Sequence, residues 1–81
     1  MEKTRECAMQ WVNDGKPCTY RHGFAWKGAK QKPITVERAK ELISEKDWDF
    51  QNGPCSRELN WECYEGQEVL NFTQYGMNDM W

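Results

Sequence analysis

Apolar positions recur with two different periods along this chain. Over "ECAMQWV", Cys7, Met9 and Trp11 alternate with Ala8, Gln10 and Val12, the two-residue repeat of a half-buried strand. "NDGK" follows as a turn signal, and Cys18, Tyr20, His22, Phe24 and Trp26 then alternate with Thr19, Arg21, Gly23, Ala25 and Lys27. The two runs read as a hairpin. An even loop sets its register by pairing Trp11 with Cys18 and Met9 with Tyr20, which keeps the apolar sets together.

"KGAKQKP" reads as a connector, with Pro33 preventing a strand from running through it. The period then becomes helical. Thr35 is the expected N-cap, Ile34 and Ala39 occupy the two positions of a hydrophobic staple, and Glu37 sits in the first turn. Val36, Ala39, Leu42 and Ile43 share one face and Arg38, Lys40, Glu41 and Glu45 the other, which predicts a helix ending near Lys46.

Trp48 and Phe50 alternate as in a short strand or an anchored loop, and "NGP" is a turn. "ELNWECY" and "EVLNFTQY" make a second hairpin around Glu65-Gly66, with Trp61 opposite Leu70 and Leu59 opposite Phe72. The expected fold is therefore α+β, one domain over residues 1–81 in the order β-β-α-β-β, an antiparallel sheet with a single helix on one face. Gln10, Thr19, Arg21, Asn60, Glu62, Tyr64, Asn71 and Thr73 would form a solvent-exposed outer face.

Composition sharpens this picture. At 81 residues a domain buries only about 60% of its unfolded surface, so each large apolar side chain counts. Charged residues are 30% and hydrophobic residues 38% of the chain, with a mean hydropathy of -1.02, near the composition of disordered chains. Five Trp, three Tyr and three Phe oppose disorder, since each aromatic ring buries roughly 150–250 Å². No apolar run has the length of a membrane span, and the first residues lack the apolar stretch of an export signal. The expectation is a soluble, cytoplasmic protein whose Cys7, Cys18, Cys55 and Cys63 are reduced thiols.

Those cysteines and His22 show none of the close pairs of a zinc knuckle, and the alternation places Cys7, Cys18 and Cys63 inward, so neither metal nor cofactor is expected. His22 would lie opposite Cys7 in the first hairpin. No phosphate loop, nucleophile elbow or metalloprotease motif accompanies the pair, and the chain is read as non-enzymatic.

Charge divides along the chain. Residues 1–40 hold nine Lys or Arg against four acids, and residues 41–81 hold two against nine, for a net charge of -2. Two binding surfaces follow. Glu41, Glu45, Asp47, Asp49, Glu58, Glu62, Glu65 and Glu68, together with the adhesive tail at 76–81 that carries Met77, Met80 and Trp81, suit a protein partner or self-association. Lys16, Arg21, Lys27, Lys30 and Lys32 suit a nucleic-acid backbone, although loop and edge lysines also serve as solvated protection for a sheet. Protein binding is the leading expectation, and a metal or redox role for the cysteines is third.

Overall fold

The computed structural model describes residues 2–23, 28–45, 47–50 and 57–75. The elements are α1 (Arg5–Asn13), β1 (Cys18–His22), β2 (Lys32–Ile34), α2 (Val36–Ser44), β3 (Arg57–Tyr64) and β4 (Gln67–Gln74). The strands form one mixed sheet in the order β2-β1-β4-β3. β1 pairs antiparallel with β2 and parallel with β4, and β3 pairs antiparallel with β4.

The α+β class stands, but the β-β-α-β-β order with one helix does not. The first expected strand is helix α1. Its buried residues are Ala8, Trp11 and Val12, a three-and-four spacing hidden inside the two-residue repeat, while Met9 of the expected inward set is 40% exposed. Thr4 supplies the cap, its hydroxyl accepting from the Cys7 N–H at 3.1 Å, and Glu6 lies in the first turn.

The "NDGK" turn is the end of that helix rather than the tip of a hairpin. Gly15, at φ 73°, follows the C-cap Asp14; its N–H donates to the Val12 carbonyl and the Lys16 N–H to that of Trp11. This is the left-handed glycine stop that closes many helices. The expected pairing of Trp11 with Cys18 and Met9 with Tyr20 therefore does not form.

With α1 out of the sheet, β1 takes other neighbours. Cys18, Thr19 and Tyr20 pair with Ile34, Pro33 and Lys32, so β2 does run through Pro33. Proline is tolerated there because β2 is an edge strand. On its other side β1 lies along β4, Cys18 beside Leu70 and Tyr20 beside Phe72, which makes the sheet mixed rather than antiparallel.

The second half follows its pattern closely. Thr35 caps α2 by accepting from the Arg38 N–H at 3.1 Å, Ala39, Leu42 and Ile43 are buried, and the helix ends at Ser44 with Glu45 as C-cap. β3 and β4 pair Trp61 with Leu70 and Leu59 with Phe72. Their turn uses Glu65 at φ 51° and Gly66 at φ 83°, two successive left-handed residues matched to the twist of a tight hairpin. After α2, Trp48 is fully buried and Asp49 makes an isolated parallel bridge to Glu58, so this segment is an anchored loop.

Both helices and Trp48 pack on one face of the sheet in a single cluster with Cys18, Leu59, Leu70 and Phe72. Trp48 meets Phe72 edge-on at 5.2 Å, and Trp11 meets Trp61 edge-on at 5.1 Å. Two indole N–H groups are tied to main chain, Trp11 donating to the Pro17 carbonyl and Trp61 to that of Glu2, each at 2.8 Å, while that of Trp48 is buried without a hydrogen-bond partner.

Arg5 joins the two helices. It stands in the first turn of α1, where a cation is locally unfavourable, but its guanidinium donates to the carbonyls of Ile43 at 2.8 Å, Glu45 at 3.2 Å and Trp48 at 2.6 Å. Those contacts satisfy the open carbonyl end of α2 and the turn after it. Arg5→Ala should lower unfolding free energy by about 2 kcal/mol, because charge-assisted bonds are lost and carbonyls are left partly buried without a donor. Urea unfolding checks this; a loss below about 0.5 kcal/mol, the size of an ordinary surface change, would contradict it.

Candidate functional site

The face of the sheet opposite the helices carries the residues expected to lie outside, with the exception of Gln10, which is on α1. It is not a solvated face. Thr19 and Thr73 are 1% exposed and Asn71 is fully buried. On β4 every residue from Val69 to Thr73 is buried, so this strand is covered on both sides.

The buried side chains of Thr19, Asn71 and Thr73 bond to one another and to their neighbours. Gln31 donates to the Thr19 hydroxyl at 2.8 Å, Thr19 donates to the Asn71 amide oxygen at 2.8 Å, and the Asn71 amide nitrogen donates to Thr73 at 2.6 Å and Glu62 at 3.4 Å. Arg21 on β1 and Glu62 on β3 form a two-pronged ion pair at 2.8 and 2.9 Å. β4 lies between those strands, with Arg21 opposite Thr73 and Glu62 opposite Val69, so the pair crosses β4 diagonally beside Asn71. The Arg21 Nε atom is buried with no hydrogen-bond partner.

This ladder removes Arg21 from the basic set, since its guanidinium is already matched to a carboxylate. Lys16 lies with its ammonium 4.8 Å from the centre of the Trp11 ring, and Lys30 and Lys32 are exposed just before and within β2. Lys27 lies outside the described residues, as do Phe24, Trp26, Lys46, Cys55 and the tail residues Met77, Met80 and Trp81.

The acidic set is also divided. Glu41 pairs with Arg38 and Glu45 with Arg57, Glu62 holds Arg21, and Glu58 accepts from Tyr75 and Asn60. Asp47, Asp49, Glu65 and Glu68 remain exposed. The strand order then separates charge across the sheet. Lys30 and Lys32 belong to the β2 edge, whereas Asp49, Glu58, Glu62 and Glu65 belong to the β3 edge, three strand spacings or roughly 14 Å away.

The three described cysteines do not assemble. Cys18 is buried, its thiol donating to the Lys16 carbonyl at 3.5 Å, and Cys7 is half-buried on α1 with its thiol toward Glu2 at 3.8 Å. Cys63 is exposed, contrary to the inward placement expected of it: it has the same parity as Leu59 and Trp61 but lies near the hairpin tip, paired with exposed Glu68. His22 is exposed with its Nδ1 3.0 Å from the Tyr20 hydroxyl, and with α1 helical the register that would set it opposite Cys7 is absent. Among the described residues no three His, Cys, Asp or Glu side chains group to hold a metal ion.

A shallow depression of about 130 Å³ lies beside Trp11, lined by Cys7, Gln10, Asp14 and Lys16. Its polar groups already engage one another, Gln10 donating to Asp14 at 2.8 Å and Lys16 resting on the indole. No helix among the described residues is long and apolar enough to cross a membrane. Comparison with family models, curated proteins and solved structures finds no match to this chain.

Burial pushes the Cys18 thiol from its ordinary value of 9.0 up to about 12. At neutral pH a maleimide should therefore modify Cys63 while Cys18 stays protected, which peptide mapping by mass spectrometry reads directly. The folded state keeps this proton where the unfolded state loses it, so the Cys18 contribution to stability is intact below pH 9 and falls as pH rises toward 12. Cys18→Ala should show a shallower alkaline decline than the parent; identical declines would contradict the assignment.

Proposed function

We propose that this chain is a small, non-enzymatic protein-binding module of a cytoplasmic, reducing setting, whose contact surface is the acidic β3 side of the sheet. The observation that carries this reading is the strand order, which sets the exposed Asp49 and Glu65 at one edge and the exposed Lys30 and Lys32 at the other. Opposed charges of this kind orient an approaching partner before contact and suppress the wrong approach. Met77, Met80 and Trp81 are the second contact of the same reading, by residue type.

Nucleic-acid backbone binding through Lys16, Lys27, Lys30 and Lys32 is the alternative, and the exposure of Lys30 and Lys32 is what favours it. It is the weaker reading because Arg21 is spent on Glu62 and the rings of Tyr20, Trp61 and Phe72 pack on the helix side of the sheet rather than in open solvent.

The two readings separate in a titration of ¹⁵N-labelled protein at low and moderate salt, with a lysine-rich unstructured polypeptide in one series and short mixed-sequence DNA and RNA in the other. Saturable shifts at Asp49, Glu65 and Glu68 with the polypeptide, weakened at least about tenfold in the Glu65→Lys/Glu68→Lys variant, are expected. Salt-sensitive shifts at Lys30 and Lys32 with the oligonucleotides, and none with the polypeptide, would overturn the proposal.

A further inference from the structure

β3 is the long edge of the sheet, and the described residues cover only part of it. The Leu59 N–H points away from β4 and donates to the Asp49 carbonyl at 3.0 Å. Alternate residues of a strand direct their main-chain groups the same way, so those of Trp61 and Cys63 also face outward. The tight turn agrees, because its closing pair, Tyr64 with Gln67, has the opposite parity and is the one bonded across the hairpin. Among the described residues no strand pairs with β3 on this side beyond the bridge of Asp49 to Glu58.

An open edge of this kind is a template for another strand. Two features describe what would fit it. On the helix side it presents the open part of half-buried Trp61, whose ring meets Trp11 and Phe50 and whose N–H is held by the Glu2 carbonyl, next to the exposed Cys63, a surface for one apolar side chain. Along its length it runs between exposed acids, Asp49 beside its covered start and Glu65 at the hairpin tip.

Resting on the protein-binding reading above, we infer that residues 60–64 of β3 accept an extended segment of another protein, with β-branched or aromatic side chains at alternate positions and Lys or Arg at both ends. Main-chain hydrogen bonds to Trp61 and Cys63 hold the added strand, the Trp61 and Phe50 rings take its apolar side, and Asp49 and Glu65 attract its ends. A second copy of this chain fits less well. The β2 edge offers three residues with Pro33 lacking a donor, and β3 against β3 sets one acidic edge against another.

The test is selection of random nine-residue peptides displayed on phage against the folded full-length chain, followed by titration of the strongest synthetic peptide into ¹⁵N-labelled protein. Enriched peptides should alternate apolar and polar residues between basic ends, shift the Trp61 and Cys63 amides, and slow their exchange with solvent. Methylating alternate main-chain nitrogens of that peptide should weaken binding at least about tenfold at unchanged charge, and Asp49→Lys/Glu65→Lys should abolish the preference for basic ends. Peptides that instead bind at α2, or bind equally well when methylated, would overturn strand addition while leaving a protein-binding module. Concentration-dependent protection of Trp61 and Cys63 without peptide would assign the edge to a second copy. No enrichment, with oligonucleotide shifts at Lys30 and Lys32, would overturn both readings.

Discussion

The parallel pairing of β1 with β4 is the constraint on which the rest of this structure depends. Parallel neighbours cannot be joined by a tight turn, so the chain between them must leave the sheet and return. Here that excursion contains β2, α2 and β3 and places them on two sides of one central pair. It also makes β4 an interior strand, covered by helices on one face and by its own polar ladder on the other.

From that arrangement the surface chemistry follows. A strand at the centre buries Thr19, Asn71 and Thr73, and buried polar groups must bond to one another or be costly. The long side chains at the flanks close the ladder, Arg21 and Glu62 meeting above β4. The same order sends the lysine-bearing β2 to one edge and the acid-bearing β3 to the other, so a division of charge along the chain becomes a division across the sheet.

Much of this was legible wherever the local signal and the tertiary contacts agreed. The second hairpin was, because Glu65-Gly66 defines a turn and the pairing of Trp61 with Leu70 keeps like with like; so was α2, with its Thr35 cap. Residues 5–13 were not, since Cys7, Met9 and Trp11 satisfy a strand period while Ala8, Trp11 and Val12 satisfy a helical one. Only the cap at Thr4 and the glycine stop at Gly15 decide between them. The face of Arg21, Asn71 and Glu62 was readable from alternation, but not its burial. "VLNFT" is a continuous buried run in which Asn71 and Thr73 count as interior residues only once partners across neighbouring strands are known. The charged edges needed the strand order, which no local pattern contains.

The parallel central pair is tested most directly by inter-strand proton contacts in solution. Nuclear Overhauser effects should connect residues 18–22 with residues 70–74 in ascending order, Cys18 near Leu70, Tyr20 near Phe72 and His22 near Gln74. Main-chain contacts from Tyr20 to Met9 and from His22 to Cys7, the signature of an antiparallel hairpin at the start of the chain, would contradict the account and with it the placement of both charged edges.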